Sequence, residues 1–84
     1  MERRDLQGLT VTSPDGREAT VAKGGLLLLD GNLEVRFCYR GGVYPVTVPA
    51  DASTEAVKKA IAARLPALDE ALDLAELIGL EVEA

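Results

Sequence analysis

The stretch Pro49-Ala50-Asp51-Ala52-Ser53-Thr54-Glu55 separates two hydrophobic rhythms in this chain of 84 residues. Before it, apolar residues recur at every second position, which is the period of a half-buried β-strand. After it, they recur at every third or fourth position, which is the period of an amphipathic helix. The sequence therefore predicts an α+β domain in which β-hairpins come first and helices follow.

The composition bounds the class of protein. A chain with 48% hydrophobic residues can form one small core, so we predict a single domain over residues 1–84, with a disordered start at residues 1–5. One cysteine excludes an internal disulfide, and we find no signal peptide or membrane-length apolar run, so we expect a cytoplasmic protein. Few Asn, Gln, Cys and Met residues, with more Arg than Lys, are compatible with a thermophilic source.

The charge is acidic and unevenly distributed. Residues 1–64 hold nine basic and eight acidic side chains, whereas residues 65–84 hold six acidic and no basic ones, which gives the net charge of −5. Because neutralising phosphates requires clustered Lys and Arg, a general affinity for nucleic acid is disfavoured. The acidity belongs to the C-terminal quarter of the chain.

The segment Ser13-Pro14-Asp15-Gly16-Arg17 predicts a tight turn between two strands. Pro presets φ, Asp bonds back to the backbone, and Gly takes the left-handed position. A three-residue loop places Val11 opposite Ala19 and Thr10 opposite Thr20. Apolar and polar pairs then lie on separate faces, which makes this register self-consistent.

A second hairpin is predicted over residues 33–48. Pro45 has no backbone N–H, so we expect a four-residue loop, Arg40 to Val43, that turns the missing donor outward and leaves the 43–48 strand at a sheet edge. The pairs of this register are Tyr39 with Tyr44, Cys38 with Pro45, Phe37 with Val46 and Val35 with Val48. Every aromatic residue then lies on one face, and we expect the helices to cover it.

Four consecutive leucines, Leu26 to Leu29, precede this hairpin through Asp30-Gly31-Asn32. They cannot all face one side of a sheet, so two of them share the second face with Cys38 and Val43. Either this is a central strand covered on both sides, or the leucines form an exposed interface. We interpret Gly24-Gly25 and Gly41-Gly42 as hairpin turns, which gives an antiparallel β-meander of about five strands.

Two C-terminal helices are predicted to pack on one sheet face. Ser53 is a good N-cap, and a stripe that includes Val57, Ile61 and Leu65 follows it. We expect Pro66 to break the run and a second helix to extend from about residue 67 to Ile78. Gly79 then stands at the C-cap, and residues 80–83 alternate as in a short last strand.

Three carboxylates of the second helix, Asp69, Asp73 and Glu76, line one side at spacings of four and three. The alternatives are a solvated face, or a second candidate surface for docking onto a basic partner. No His or Cys accompanies these carboxylates, and a helix offers no loop oxygens for a hard cation, so we predict no metal site.

From Val35 to Leu65 the chain resembles the opening of a ubiquitin-like β-grasp domain. The shared elements are the hairpin VRFCYRGGVYPVTV, the turn PADAS and the capped helix STEAVKKAIAARL. The resemblance implies a binding or adaptor module. The chain departs from that family because no strands that complete a β-grasp follow the helix, and because Glu81-Val82-Glu83-Ala84 replaces the Gly-Gly tail of conjugated relatives.

Catalytic chemistry is disfavoured. The chain has no histidine, which removes histidine acid-base catalysis and most zinc sites, and we expect no cofactor. Cys38 lies near Arg36 and Arg40 in sequence, but a strand cysteine without a base is more often a small hydrophobe. Arg36 and Arg40 alternate with the aromatic residues, so they do not form the mixed surface of a nucleic-acid sheet.

We therefore predict a non-enzymatic protein-binding or adaptor module that self-associates through the second sheet face. Its candidate interface comprises Leu27, Leu28, Leu29, Arg36, Cys38, Arg40 and Val43. The alternative is a structural component of a larger assembly, for instance of viral or secretion type. A nucleic-acid-associated regulator or an antitoxin-type partner is less favoured, and we expect no membrane partner.

Overall fold

The computed structural model describes the backbone of residues 3–83 and the side chains of residues 3–78. A short 3-10 helix, Arg4–Leu6, precedes the strands β1 (Thr10–Thr12), β2 (Glu18–Leu29), β3 (Asn32–Tyr39) and β4 (Gly42–Pro49), and helix α1 (Thr54–Glu83). The strands form one antiparallel sheet in the order β1-β2-β3-β4. The α+β class is confirmed. The described residues form four strands and one long helix, where about five strands and two helices were predicted.

The missing fifth strand is explained by a bulge in β2. Val21 pairs with Phe37 and Leu26 pairs with Val35, so the four residues from Ala22 to Gly25 oppose Arg36 alone. A Cβ atom on Gly25 would lie 2.9 Å from the backbone oxygen of Arg36. Only glycine permits this approach, so the interpretation of Gly24-Gly25 as a hairpin turn is wrong. The two predicted strands are halves of one bent strand.

The β3–β4 hairpin is tighter than predicted. Its loop is the two-residue pair Arg40-Gly41, since Tyr39 pairs with Gly42, and both loop residues have positive φ, at 50° and 82°. These angles match the type I′ turn that fits the twist of a two-residue hairpin. The expected four-residue loop is therefore wrong, as is the placement of Gly42 in a turn.

The register of this hairpin is two residues away from the predicted one. Phe37 pairs with Tyr44, and Pro45 pairs with Arg36 rather than with Cys38. Counted from the loop, the cross-strand pairs alternate between hydrogen-bonded and non-hydrogen-bonded. Pro45 falls in a non-hydrogen-bonded pair, where no backbone N–H donor is required. A shift of two preserves the faces, so the aromatic residues still share one side. The prediction that β4 is an edge strand is confirmed.

The first hairpin has the predicted register. Thr10 pairs with Thr20, and Val11 pairs with Ala19. In the turn, Gly16 has a φ of 90°, and the Ser13 hydroxyl accepts a hydrogen bond from the Arg17 backbone N–H at 3.0 Å. Turn chemistry and the segregation of apolar pairs were sufficient to set this part of the fold.

Helix α1 begins as predicted and continues further. The Ser53 hydroxyl accepts a hydrogen bond from the Ala56 backbone N–H at 3.1 Å, which confirms the N-cap. Pro66 lies inside the helix and does not end it. Its side chain is exposed, so water can satisfy the carbonyl that loses a partner four residues earlier. The backbone stays helical through Gly79 and on to Glu83, so the predicted C-cap and last strand are wrong.

The core lies between α1 and one face of the sheet. The helix contributes Val57, Ile61, Leu65 and Leu68, and β3 contributes Leu33, Val35, Phe37 and Tyr39, all of them buried. Phe37 also lies against Tyr44, with ring centroids 6.2 Å apart. The prediction that the aromatic face belongs to the core is confirmed. We name the opposite side of the sheet the outer face.

The residues before β1 pack against the start of the helix. Leu6 is fully buried, and the Arg3 guanidinium donates to the backbone oxygens of Ala50 and Ala52 at 3.1 and 2.7 Å. Asp5 accepts hydrogen bonds from Arg3 and Thr54, which hold the pKa of its carboxyl well below the usual value. Arg3 and Asp5 thus contact the segment before α1 and its first residue, whereas Met1 and Glu2 lie outside the described residues, and disorder at residues 1–5 stays a prediction.

The end of α1 projects beyond the sheet. The helix has 30 residues, and the longest dimension of the molecule is 49 Å. Its start lies beside the β2–β3 turn, where the Ala50 N–H donates to the Gly31 oxygen at 3.1 Å. The last buried residue of α1 among the described side chains is Leu68. The helical part after Leu68 and the leucine run of β2 therefore lie at opposite ends of the molecule.

We expect Gly25→Ala to lower the free energy of unfolding by about 2 kcal/mol, because its Cβ meets two backbone oxygens that cannot move independently. Gly24 has a φ of 71° and open space around it, so Gly24→Asn is the matched control and should cost less. Urea denaturation followed by circular dichroism measures both. Equal losses in the two variants would contradict the close approach at Gly25.

Candidate interaction surfaces

Five of the predicted interface residues lie on the outer face. Leu27 and Leu29 pair with Glu34 and Asn32, which alternate with the buried residues of β3. The other three are Arg36, Cys38 and Val43, and Cys38 pairs with Val43 across β3 and β4. All five side chains are exposed.

The other two predicted residues are placed differently. Leu28 pairs with the buried Leu33 and so lies on the helix side of the sheet, although about half of it remains exposed. Arg40 lies in the β3–β4 turn, and its guanidinium contacts Asp69 of α1 at 3.2 Å. The prediction that Arg40 flanks the leucines on the outer face is therefore wrong, because the left-handed turn directs it towards the helix.

The apolar part of the outer face is divided. The Arg36 guanidinium donates to the Glu34 carboxylate at 3.1 Å, and these two residues of β3 separate the leucines of β2 from Val43 of β4. Leu27 and Leu29 thus form one patch on β2, and Val43 with Pro45 forms another on β4. The alternative of a central strand covered on both sides is not what the described residues show.

The second half of β2 has a free edge. Strand β1 pairs only with Glu18–Thr20, and the Val21 N–H donates to the Leu9 oxygen at 2.9 Å just beyond it. Past the bulge, β3 is the only strand in the described chain that pairs with residues 26–29. We name the unpaired side of Leu26–Leu29 the leucine edge.

A groove lies on the same side of β2, next to the bulge. It has a volume of about 530 Å³ and is lined by Gln7, Gly8, Val21, Lys23 and Gly24. The Lys23 side chain is exposed there. The groove and the leucine edge follow one another along β2.

The predicted acidic surface has arginine partners. Arg40 contacts Asp69 at 3.2 Å, Asp73 at 3.0 Å and Glu76 at 3.6 Å. Arg17 from the first hairpin turn also contacts Asp69, at 3.2 Å. We name these five residues the arginine–carboxylate cluster. The acidic row is thus neutralised in part by the two hairpin turns that it faces.

Asp69 is the centre of this cluster. Its Oδ1 accepts hydrogen bonds from the Tyr39 hydroxyl at 2.7 Å and from Arg17 and Arg40. Burial, and then the bond to Asp69, raises the pKa of Tyr39. The Asp73 carboxylate, followed by that of Asp69, raises the pKa of Arg40. The sequence indicated the three carboxylates but not their arginine partners, because Arg17 and Arg40 lie in distant hairpin turns.

Among the described residues, no group of three or more His, Cys, Asp or Glu residues is arranged to hold a metal ion. Cys38 is exposed on the outer face. Within residues 3–83 we find no helix with the length and apolarity needed to cross a bilayer.

Comparisons with known proteins identify no homologue of this chain. No family model matches the chain, and neither a curated protein nor a solved structure matches it. The resemblance of residues 35–65 to a β-grasp domain therefore stays a prediction.

We expect Tyr39→Phe to lower the free energy of unfolding by about 1 kcal/mol, because it removes the hydrogen bond to Asp69. In an Asp69→Ala background, which leaves no acceptor at this position, the same substitution should cost measurably less, and this non-additivity isolates the contact. Tyr44→Phe is the control, since no hydrogen bond of the Tyr44 hydroxyl occurs within the described residues. Strictly additive losses in urea denaturation would contradict the coupling.

Proposed function

We propose that this protein is a non-enzymatic protein-binding module that self-associates through the outer face of its sheet. The observation that supports the proposal is the exposure of leucines on that face: Leu27 is 45% and Leu29 is 50% exposed. The solvated face of an antiparallel sheet normally presents polar side chains. Neighbouring exposed leucines are typical of a surface that a partner covers.

The charged residues between the two apolar patches suit a role in orientation. The Glu34–Arg36 pair lies beside Leu27 and is partly open to solvent. Such a pair contributes little affinity where water reaches it, but it disfavours misaligned partners. Burial of the leucines then supplies the stabilisation, and Glu34 and Arg36 set the alignment.

The non-enzymatic part of the proposal rests on the side chains available. The chain has no histidine, and Cys38, its one thiol, stands on a strand without an imidazole base. We also propose a cytoplasmic location, because a chain with one cysteine gains nothing from an oxidising compartment.

We expect the wild-type chain to form a dimer and the double variant Leu27→Glu with Leu29→Glu to be monomeric, since two carboxylates would be buried in the contact. Light scattering coupled to size-exclusion chromatography measures the mass across a concentration series. Ala62→Glu is the control, because Ala62 is exposed on α1, which packs on the side of the sheet opposite the outer face. A wild-type chain that is monomeric throughout the series would contradict self-association.

A second candidate function is that of a structural component of a larger assembly. The observation that favours it is the projecting part of α1, where Leu74, Leu77 and Ile78 are each about half exposed. These residues lie at the opposite end of the molecule from Leu27 and Leu29. A chain with two separate apolar contact surfaces can join more than one neighbour.

If the second candidate holds, Leu74→Glu with Leu77→Glu should remove species larger than a dimer and leave the dimer intact. The reason is that the two substitutions place carboxylates in the helix contact and leave the sheet contact unchanged. Analytical ultracentrifugation at high protein concentration measures the distribution of species. Glu70→Gln is a control that alters charge on the exposed helix surface without removing apolar area. A wild-type distribution that ends at the dimer would argue against the larger assembly.

A further inference from the structure

The two edges of the sheet differ in how they are protected against pairing. Counted from the pair that closes the two-residue loop, the pairs of β3 and β4 alternate between hydrogen-bonded and non-hydrogen-bonded. The β4 residues of the non-hydrogen-bonded pairs direct their backbone groups away from β3, and they are Val43, Pro45, Thr47 and Pro49. Two of these four positions are prolines, which have no N–H to donate. Proline at such positions is a known protection of an edge strand.

The leucine edge has no such protection. Leu29 pairs with Asn32 and closes the two-residue loop Asp30-Gly31, so the backbone groups of Leu28 and Leu26 point away from β3. No proline and no charged residue occurs between Gly24 and Leu29. The side chains of Leu27, Leu28 and Leu29 are each about half exposed. An exposed apolar edge strand of this kind is a template for another strand.

We propose that the leucine edge pairs with the leucine edge of a second copy of this chain, antiparallel, about a twofold axis at Leu27. This inference rests on the self-association in the proposed function and replaces packing of the outer faces by pairing of the edges, which brings Leu27 of the two copies together. Leu26 pairs with Leu28 of the second copy, and Leu28 with Leu26 of the second copy. The backbone groups that point outward at Leu26 and Leu28 then form the hydrogen bonds, and the two sheets become one.

Charge complementarity favours a second copy as the partner. Lys23 and Asp30 stand at the two ends of the leucine edge, and both are exposed. Antiparallel alignment brings the Asp30-Gly31 turn of each copy to the groove beside Lys23 of the other. A twofold axis makes both contacts at once. The bulge at one end and the turn at the other limit the free edge to four residues, which a strand of the same length matches.

Disulfide formation at the twofold axis is the direct test. We expect the double variant Leu27→Cys with Cys38→Ser to form a covalent dimer under mild oxidation, because facing residues of a non-bonded antiparallel pair have Cα atoms about 4.5 Å apart. The control is Thr47→Cys with Cys38→Ser, which places the thiol on the protected β4 edge. Equal rates of cross-linking in the two variants, on non-reducing gels, would overturn the proposal.

A proline variant distinguishes edge pairing from packing of the outer faces. Leu28→Pro removes an outward N–H and leaves Leu27 and Leu29 in place, as Pro45 does in β4. We expect the dimer to weaken by at least about tenfold. A dimer that survives Leu28→Pro but not Leu27→Glu with Leu29→Glu would overturn edge pairing and leave the proposed function standing. A wild-type monomer would overturn both.

A charge variant provides a test that does not depend on how the strand tolerates proline. Lys23→Glu places a carboxylate beside Asp30 of the other copy, so the dimer should weaken and high salt should reduce the difference. Adding Asp30→Asn should restore affinity, and Asn tolerates the φ of 48° at this position. No effect of Lys23→Glu on the dimer would overturn the proposed alignment.

Discussion

The close approach of Gly25 to the backbone of Arg36 is the constraint on which the sheet depends. Four residues of β2 oppose one residue of β3 there, so β2 gains three residues relative to its partner. An odd insertion exchanges the faces of every later residue in the strand. Leu26 and Leu28 therefore turn towards the helix side, and Leu27 and Leu29 reach the outer face. Without the bulge these assignments would be reversed.

The bulge also separates the sheet into two regions with different neighbours. Before it, β2 lies between β1 and β3; after it, β2 is an edge. Polar contacts then fix α1 to the β1–β2 and β3–β4 turns. Asp69 accepts hydrogen bonds from Arg17 of the first of these turns and from Arg40 of the second. The helix is thus aligned by apolar packing along its first half and by the arginine–carboxylate cluster where the sheet ends.

The sequence predicted those parts of the fold that depend on neighbouring residues in the chain. The first hairpin, the Ser53 N-cap and the buried face of Phe37 and Tyr39 follow from turn residues and periodicity. The bulge was not predictable, because a pair of glycines is as typical of a turn as of a bulge. Only the contact with the backbone of Arg36 distinguishes the bulge from a turn. The predicted helix break at Pro66 was wrong for a related reason. Whether proline ends a helix depends on the solvent exposure of that helical turn. The cluster at Asp69 joins residues 52 positions apart and leaves no signal in either segment alone.

The order of the strands in the sheet is the order of the strands in the chain, and this has a kinetic consequence. Each strand pairs with its sequence neighbour through a short connection, so little loop entropy opposes formation of the meander. Contacts between residues far apart in the chain close the fold, as in the hydrogen bonds from Arg3 to Ala50 and Ala52 and from Arg17 to Asp69. These contacts close longer loops than the hairpins do and so cost more loop entropy, whereas the sheet itself can assemble from its hairpins.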